Sequence, residues 1–389
     1  ERVEGYTNFS WTLMIAGAMA GGLEPVLFTQ ALRIASAIAL LIVLYLWGLR
    51  LGLDPAWSLL APAMLAVNRT YAVWSTGGLE TRWFTLLLVA AAFRLTLEKS
   101  PSAGGRPRLP VSAALFGLAC LTRPEGLLAA SIAALILTVG FARNRTPESR
   151  RHLASWLLTT ASIVLVHLIW RHTYYGDWLP NSFTAKVPGL RVTSGAVYLG
   201  LLAWHHLALI ALVAAIHLIV TRGSFRRHVR LLAESLNGFV VPFCASYTLY
   251  LLLVGGDHFE FRFADPLIPF LFLGVALLTD GGSGHTPRRA AAGAALTGLL
   301  ILSAGLSSIR GFDDFDRLVK PLVLQELRDI DGNLNHALKH STGDFVVTLD
   351  ADHVPQPDLI DRMLGFFEDP KVAIVQVNQD FYNLDSFQH

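Results

Sequence analysis

Long apolar runs separated by short polar stretches fill the first 310 residues, and the pattern then stops. The runs at 26–49, 153–170, 195–220, 239–254 and 290–309 are near the length that crosses a bilayer as a helix. Shorter runs at 11–20, 57–73, 84–97, 111–121, 127–141 and 266–278 add weaker candidates. The pattern therefore predicts a mainly α, polytopic membrane helix bundle of roughly ten spans. Near Gly311 the chain turns polar. There the pattern predicts a helix over 333–339, an apolar strand over 344–349, a helix over 357–367 and a strand over 372–377. The expected organisation is a membrane domain at 1–310, a junction at 311–331 and a short α/β fragment at 332–389.

Composition agrees with the membrane reading. Of 389 residues, 53% are hydrophobic and only 15% charged, whereas about a quarter are charged in soluble domains. Cys120 and Cys244 both sit inside apolar runs, which points to small buried residues rather than a disulfide or thiolate site. A net charge of +2 leaves no basic footprint for nucleic acid.

The position of the charges says more than their sum. Arg50, then Lys99, Arg106 and Arg108, then Arg143, Arg145, Arg150 and Arg151, fall in alternate loops. Arg222, Arg226, Arg227, Arg230, Arg288 and Arg289 continue the series. The positive-inside rule assigns these loops to the cytoplasm. The intervening loops mix acids, bases, aromatics and glycines. Transfer of a sugar needs a cation on the departing phosphate, a carboxylate to take the acceptor proton and aromatic faces for the ring. Arg82, Arg123, Lys186 and Arg262 are candidates for the first role. Glu80, Glu125, Asp177 and Asp257 are candidates for the second, and Trp74, Tyr174, Tyr175 and Trp178 for the third. His167, His205, His206 and His217, within or near the apolar runs, read as packing groups rather than a proton path.

Five ordered segments carry a family resemblance. They are residues 1–9, Gly78-Leu79-Glu80-Thr81-Arg82, Leu121-Thr122-Arg123-Pro124-Glu125-Gly126-Leu127, Gly176-Asp177-Trp178-Leu179-Pro180-Asn181, and Gly255-Gly256-Asp257-His258 with Arg262, Phe263 and Pro266. Together they resemble polytopic GT-C glycosyltransferases that use lipid-linked phosphosugars, most of all terminal arabinofuranosyltransferases. The resemblance implies a polyprenyl-phosphate sugar donor, a cell-envelope glycan acceptor and no cofactor for this part. It also implies a multi-pass protein of the bacterial inner membrane acting outside the cytoplasm. Arg82, Arg123, Glu125, Trp178, Lys186, His258 and Arg262 are the implied substrate-binding residues. The acidic motif that supplies the base in such enzymes would precede Glu1, so a truncated domain is expected and no residue takes that role. Glu80, Asp177 and Asp257 remain the acidic candidates.

The tail has its own resemblance. Gly332-Asn333-Leu334-Asn335-His336-Ala337-Leu338, Asp350-Ala351-Asp352-His353 and residues 376–383 look like part of a cellulose synthase-type family-2 glycosyltransferase with a GT-A-like domain. Two carboxylates one residue apart, closing an apolar strand, can hold a divalent cation (Mg or Mn) against a nucleoside diphosphate, so Asp350 and Asp352 are the candidate metal residues. Ile330 replaces a lysine of that pattern. With only part of that domain recognisable, a vestigial tail joined to a second transferase is expected, with negligible affinity for a nucleotide sugar. His336 and His340 read as packing residues.

The leading expectation is therefore a membrane glycosyltransferase with a lipid-linked donor. The alternatives are a processive nucleotide-sugar-dependent polysaccharide synthase and a non-enzymatic transporter or scaffold.

Overall fold

A computed structural model describes residues 7–99, 109–178, 190–221, 238–257, 259–279, 287–322, 359–369 and 372. Contacts divide the chain into two units, Glu1–Ile330 and Asp331–His389.

The first unit is helical throughout its regular elements. α1 (Phe9–Ala20) and α2 (Pro25–Arg50) are joined by a glycine turn, with the Glu24 carboxylate accepting from the Val26 and Leu27 amides to cap α2. α3 (Pro55–Ser58), α4 (Leu60–Ala66) and α5 (Arg69–Thr76) follow, then α6 (Thr81–Lys99), α7 (Val111–Thr122), α8 (Glu125–Arg143) and α9 (Pro147–Tyr175). α10 (Val192–Leu202) passes through a π turn, Ala203–Ala208, into α11 (Leu209–Thr221). α12 (Val240–Val254) leads to a 3₁₀ segment, Arg262–Leu267, and α13 (Ile268–Thr279). α14 (Pro287–Asp314) ends in a second π turn, Phe315–Val319.

Five helical stretches are long and apolar enough to cross a membrane: Pro25–Arg50, Glu125–Arg143, Pro147–Tyr175, Val192–His217 and Arg262–Thr279. This is half the expected number. The remaining runs form helices that are short or charged: α6 carries Arg82, Arg94 and Glu98, while α1, α7 and α12 have only 12, 12 and 15 residues. The run at 57–73 differs most. It breaks into α3, α4 and α5, because Asn68 turns extended and its side chain caps α5 by accepting from the Tyr71 amide. The run at 290–309 continues as helix past Gly311 to 322, since nothing between Gly311 and Leu322 stops a helix except Pro321 at its last turn.

Among the described residues there is no strand. In the second unit the structure describes α15 (Leu359–Leu364) and the 3₁₀ turn Gly365–Glu368, which overlap the expected helix at 357–367. The helix at 333–339 and the strands at 344–349 and 372–377 lie outside the described residues, apart from Val372.

Two helix contacts are set by glycine. A Cβ on Gly195 in α10 would collide with the Leu252 carbonyl oxygen of α12, and one on Gly126 in α8 would meet the Ala119–Cys120 backbone of α7 at 2.5 Å. Only a bare Cα allows either approach. Gly195→Ala is expected to force α10 from α12 and to lower stability by about 1–3 kcal/mol, read as a fall in Tm in detergent. An unchanged Tm would contradict this packing.

Candidate functional site

The tight turn between α7 and α8 sets the centre of the site. Thr122 ends α7, Arg123 is extended, and Glu125 opens α8, where a carboxylate suits the positive end of the helix dipole. Arg123 grips Glu125 through two nitrogens, Nη2 to Oε1 at 2.7 Å and Nε to Oε2 at 3.2 Å. Its Nη1 reaches Glu80 Oε1, from the turn before α6, at 3.4 Å. Asn8 Nδ2 donates to the other Glu80 oxygen at 3.1 Å, and the Ser10 and Thr122 hydroxyls meet at 2.7 Å, tying α1 to the same place. A second pair stands beside the first. Arg262 Nε donates to Asp257 Oδ2 at 2.7 Å, and Arg262 also lies within electrostatic reach of Glu125.

Aromatic rings wall this cluster. The Phe263 ring lies 4.9 Å from the Arg123 guanidinium and 5.3 Å from that of Arg262, with Phe84 and Phe259 on the outer flanks. Tyr247 and Tyr250 from α12 lie within electrostatic reach of Glu125 and Arg123. The Tyr198 hydroxyl accepts from the Ala264 amide. Glu80, Arg123, Glu125 and Asp257 are all buried. Burial disfavours the Arg123 charge, but Glu125 and then Glu80 outweigh it and hold the guanidinium well above the ordinary arginine pKa. Phe261, just before Arg262, keeps a left-handed backbone with φ 42° inside a buried ring cluster of Tyr198, His206 and Phe315.

Of the candidate residues, the structure thus gathers Glu80, Arg123, Glu125, Asp257 and Arg262. Arg82 goes elsewhere. Fully buried, it donates from Nη1 and Nη2 to Asp265 at 3.2 and 3.0 Å, from Nε to Ser75 and from Nη2 to the Tyr71 carbonyl, while Thr85 also donates to Asp265. Those bonds brace α5, α6 and the 3₁₀ segment. Trp74 is also a brace: buried, it donates from Nε1 to the Glu260 carbonyl, and the Glu260 carboxyl pairs with Arg69 at 3.1 Å. Burial raises the Glu260 pKa against the pull of Arg69.

Asp177 and Trp178 are exposed beyond the end of α9, where Trp178 stacks on His172 at 4.2 Å. No described contact joins them to the ion cluster. Lys186, His258, Asp350 and Asp352 lie outside the described residues. Among the described residues no group of three or more His, Cys, Asp or Glu could hold a metal. His167 lies against Phe9 at 4.2 Å, His206 meets the Thr70 hydroxyl at 3.2 Å, and His205 stands 2.9 Å from the Asp314 carboxylate.

Sequence reading missed Tyr198, Tyr247 and Tyr250, and gave Phe263 no role beyond its place in the motif after Asp257. The spacing of Phe243, Tyr247 and Leu251, all fully buried, marks one inward helical face, and Tyr250 follows beside it. Asp265 was hidden because a single acid before a proline carries no motif.

Chemically, Glu125 is held by a bidentate ion pair, whereas Glu80 has one long arginine contact and one amide.

Comparisons with known proteins concern the C-terminal end. Residues 307–389 match the model for glycosyl transferase family 2. Cellulose synthase 1 of Komagataeibacter xylinus is 43% identical over 58 residues, which are 15% of this chain and 4% of that protein. A UDP-forming cellulose synthase catalytic subunit of Komagataeibacter sucrofermentans is 41% identical over 58 residues, 8% of its length, and that of Pseudomonas fluorescens 43% over the same length and share. The chain thus spans less than a tenth of the length of these relatives. No solved structure matches the chain. The matches show a partial likeness to cellulose synthases at the C-terminal end; the GT-C resemblance of residues 1–310 finds no support in them.

Removing Arg123 strands two buried carboxylates. Arg123→Ala is expected to cost about 3–5 kcal/mol, and adding Glu80→Gln with Glu125→Gln to recover much of it. Thermal unfolding of the parent and the two variants in one detergent checks this, and an Arg123→Ala protein as stable as the parent would show that the ion cluster is not closed.

Proposed function

We propose that this chain is a multi-pass glycosyltransferase of the bacterial inner membrane whose C-terminal residues form part of a family-2 catalytic segment using a nucleotide sugar. The observation that carries this reading is the likeness of that end to UDP-forming cellulose synthase catalytic subunits. The membrane unit supports it, because a helix bundle with five helices of spanning length would keep the transferase at the surface where an envelope glycan is made. On this reading the donor is a UDP-sugar and the acceptor a growing glycan. Asp350 and Asp352 would hold Mg²⁺ or Mn²⁺, which would offset the charge of the departing nucleoside diphosphate. The boundaries proposed are a membrane unit through 310, a junction at 311–331 and the family-2 segment beyond it.

A second reading is favoured by the buried cluster of Glu80, Arg123, Glu125, Asp257 and Arg262. Five ionisable groups would not be kept together in an apolar bundle at such desolvation cost without a use. Here the membrane unit would itself transfer a sugar from a polyprenyl-phosphate donor, with Glu80 taking the acceptor proton and Arg123, Arg262, Lys186 and His258 facing substrate.

Proteoliposomes bearing the full chain separate the two. Given labelled UDP-sugars with Mn²⁺ or Mg²⁺, they are expected to release UDP, and Asp352→Asn or a chelator should abolish release while Glu80→Gln leaves it unchanged. The second reading replaces the first if UDP-sugars are inert and transfer from a polyprenyl-phosphate sugar falls about 10²-fold or more in Glu80→Gln. Inertness toward both donors would overturn both.

A further inference from the structure

The other deeply buried arginines of the site region each face a carboxylate: Arg82 faces Asp265, and Arg123 faces Glu80 and Glu125. Arg33 does not. It sits in the third turn of α2, 2% exposed, with its Nε donating to the Thr29 carbonyl at 3.1 Å. Its Nη1 is buried without a hydrogen-bond partner, and no acid among the described residues pairs with it. A charged group in an apolar helix with an unsatisfied nitrogen is costly, and such a residue marks a place for a counter-ion.

The surroundings say where that counter-ion would sit. Nη1 lies 3.7 Å from the point where a Cβ on Gly78 would stand, and Gly78 holds φ +55° in a turn whose Thr76 and Gly78 are exposed. The Nη1 of Arg33 therefore approaches the turn at a residue that carries no side chain. The same turn feeds the N-terminus of α6, a 19-residue helix, and Thr81 at its first position buries a hydroxyl that also lacks a partner. A buried guanidinium, an unpaired hydroxyl and the positive end of a helix dipole together match an anion with several acceptor oxygens. The Glu80 carboxylate beside them is engaged by Arg123 and Asn8, which removes its competing claim.

We propose that Arg33, Thr81 and the Gly77–Gly78 turn form a phosphate-binding site. The flank of α2 favours a lipid as its source. Leu27, Ile34, Ile38 and Ile42 are each more than half exposed and follow one another down the helix at spacings of seven and four, a stripe on which acyl chains lie. The phosphate of an anionic headgroup then reaches Arg33 while its chains follow that stripe. This site is independent of which sugar donor the protein uses.

The test places the purified chain in nanodiscs of phosphatidylcholine, with or without phosphatidylglycerol, and separately titrates inorganic phosphate into the phosphatidylcholine discs. Thermal unfolding is read for the parent, Arg33→Gln, Arg33→Lys and Thr81→Val. The parent's Tm is expected to rise with phosphatidylglycerol, and the rise should vanish in Arg33→Gln and shrink in Thr81→Val. Arg33→Gln should be no less stable than the parent in phosphatidylcholine alone, because it removes a charge that nothing there offsets. If Arg33→Gln does not fold, the loss of response in Thr81→Val and its partial survival in Arg33→Lys carry the comparison. A rise with inorganic phosphate only, with the same dependence on Arg33, supports the site and makes its source soluble. Equal Tm values with and without either probe, or an Arg33→Gln response equal to the parent's, would overturn it.

Discussion

A guanidinium that leaves water for an apolar helix bundle must find a carboxylate or lose several kcal/mol, and this constraint organises the first unit. Arg82 is fully buried and finds Asp265 across 183 residues of sequence. That pair draws α5, α6 and the 3₁₀ segment before α13 together, and Thr85, Ser75 and the Tyr71 carbonyl complete its hydrogen bonds. Arg69 and Glu260 repeat the device nearer the surface, where Arg69 keeps a third of its side chain exposed. Removing one partner of such a pair leaves the other charge in a medium that cannot solvate it, so the pairs fix which segments meet even where they add little net stability.

The candidate site is assembled by the same rule under tighter geometry. α7 and α8 approach so closely at Gly126 that the turn between them must project Arg123 and Glu125 from one short stretch of backbone. Glu80 arrives from the start of α6, Asn8 from the start of α1, and Asp257 with Arg262 from the loop after α12. Phe263 then lies against both guanidiniums, excluding water and strengthening every charge interaction inside. Position along the chain had little to do with this. What the five charged residues share is a place at the ends of apolar helices that pack together.

That explains how much could be read before the fold was known. Apolar length alone placed α2, α8, α9, the helix through the π turn at Ala203–Ala208 and α13. It failed at 57–73, where Asn68 competes for the backbone and ends one helix to begin another, an effect that hydropathy does not register. The polar loops pointed to Arg123, Glu125, Glu80, Asp257 and Arg262. The same reasoning placed Arg82 with them, because an arginine two residues from a glutamate looks alike whether it faces a ligand or a buried aspartate. Only the distance to Asp265 tells the difference. Tyr247 and Tyr250 carried a helical-face signal that the loop-centred reading did not use.

Charge balance separates two jobs that residue type alone had merged. The ion cluster holds Glu80, Glu125 and Asp257 against Arg123 and Arg262, three negative charges to two positive. The Arg123 nitrogens are already committed to carboxylate oxygens. An incoming phosphate would have to displace an existing pair before Arg123 could hold it. Anion recognition falls instead to a cation that no carboxylate satisfies, and among the buried arginines whose contacts are fully described that is Arg33. One short turn thus brings together a buried cation that no carboxylate satisfies, Arg33 near Gly78, and a carboxylate already shared by Asn8 and Arg123, Glu80 at its end.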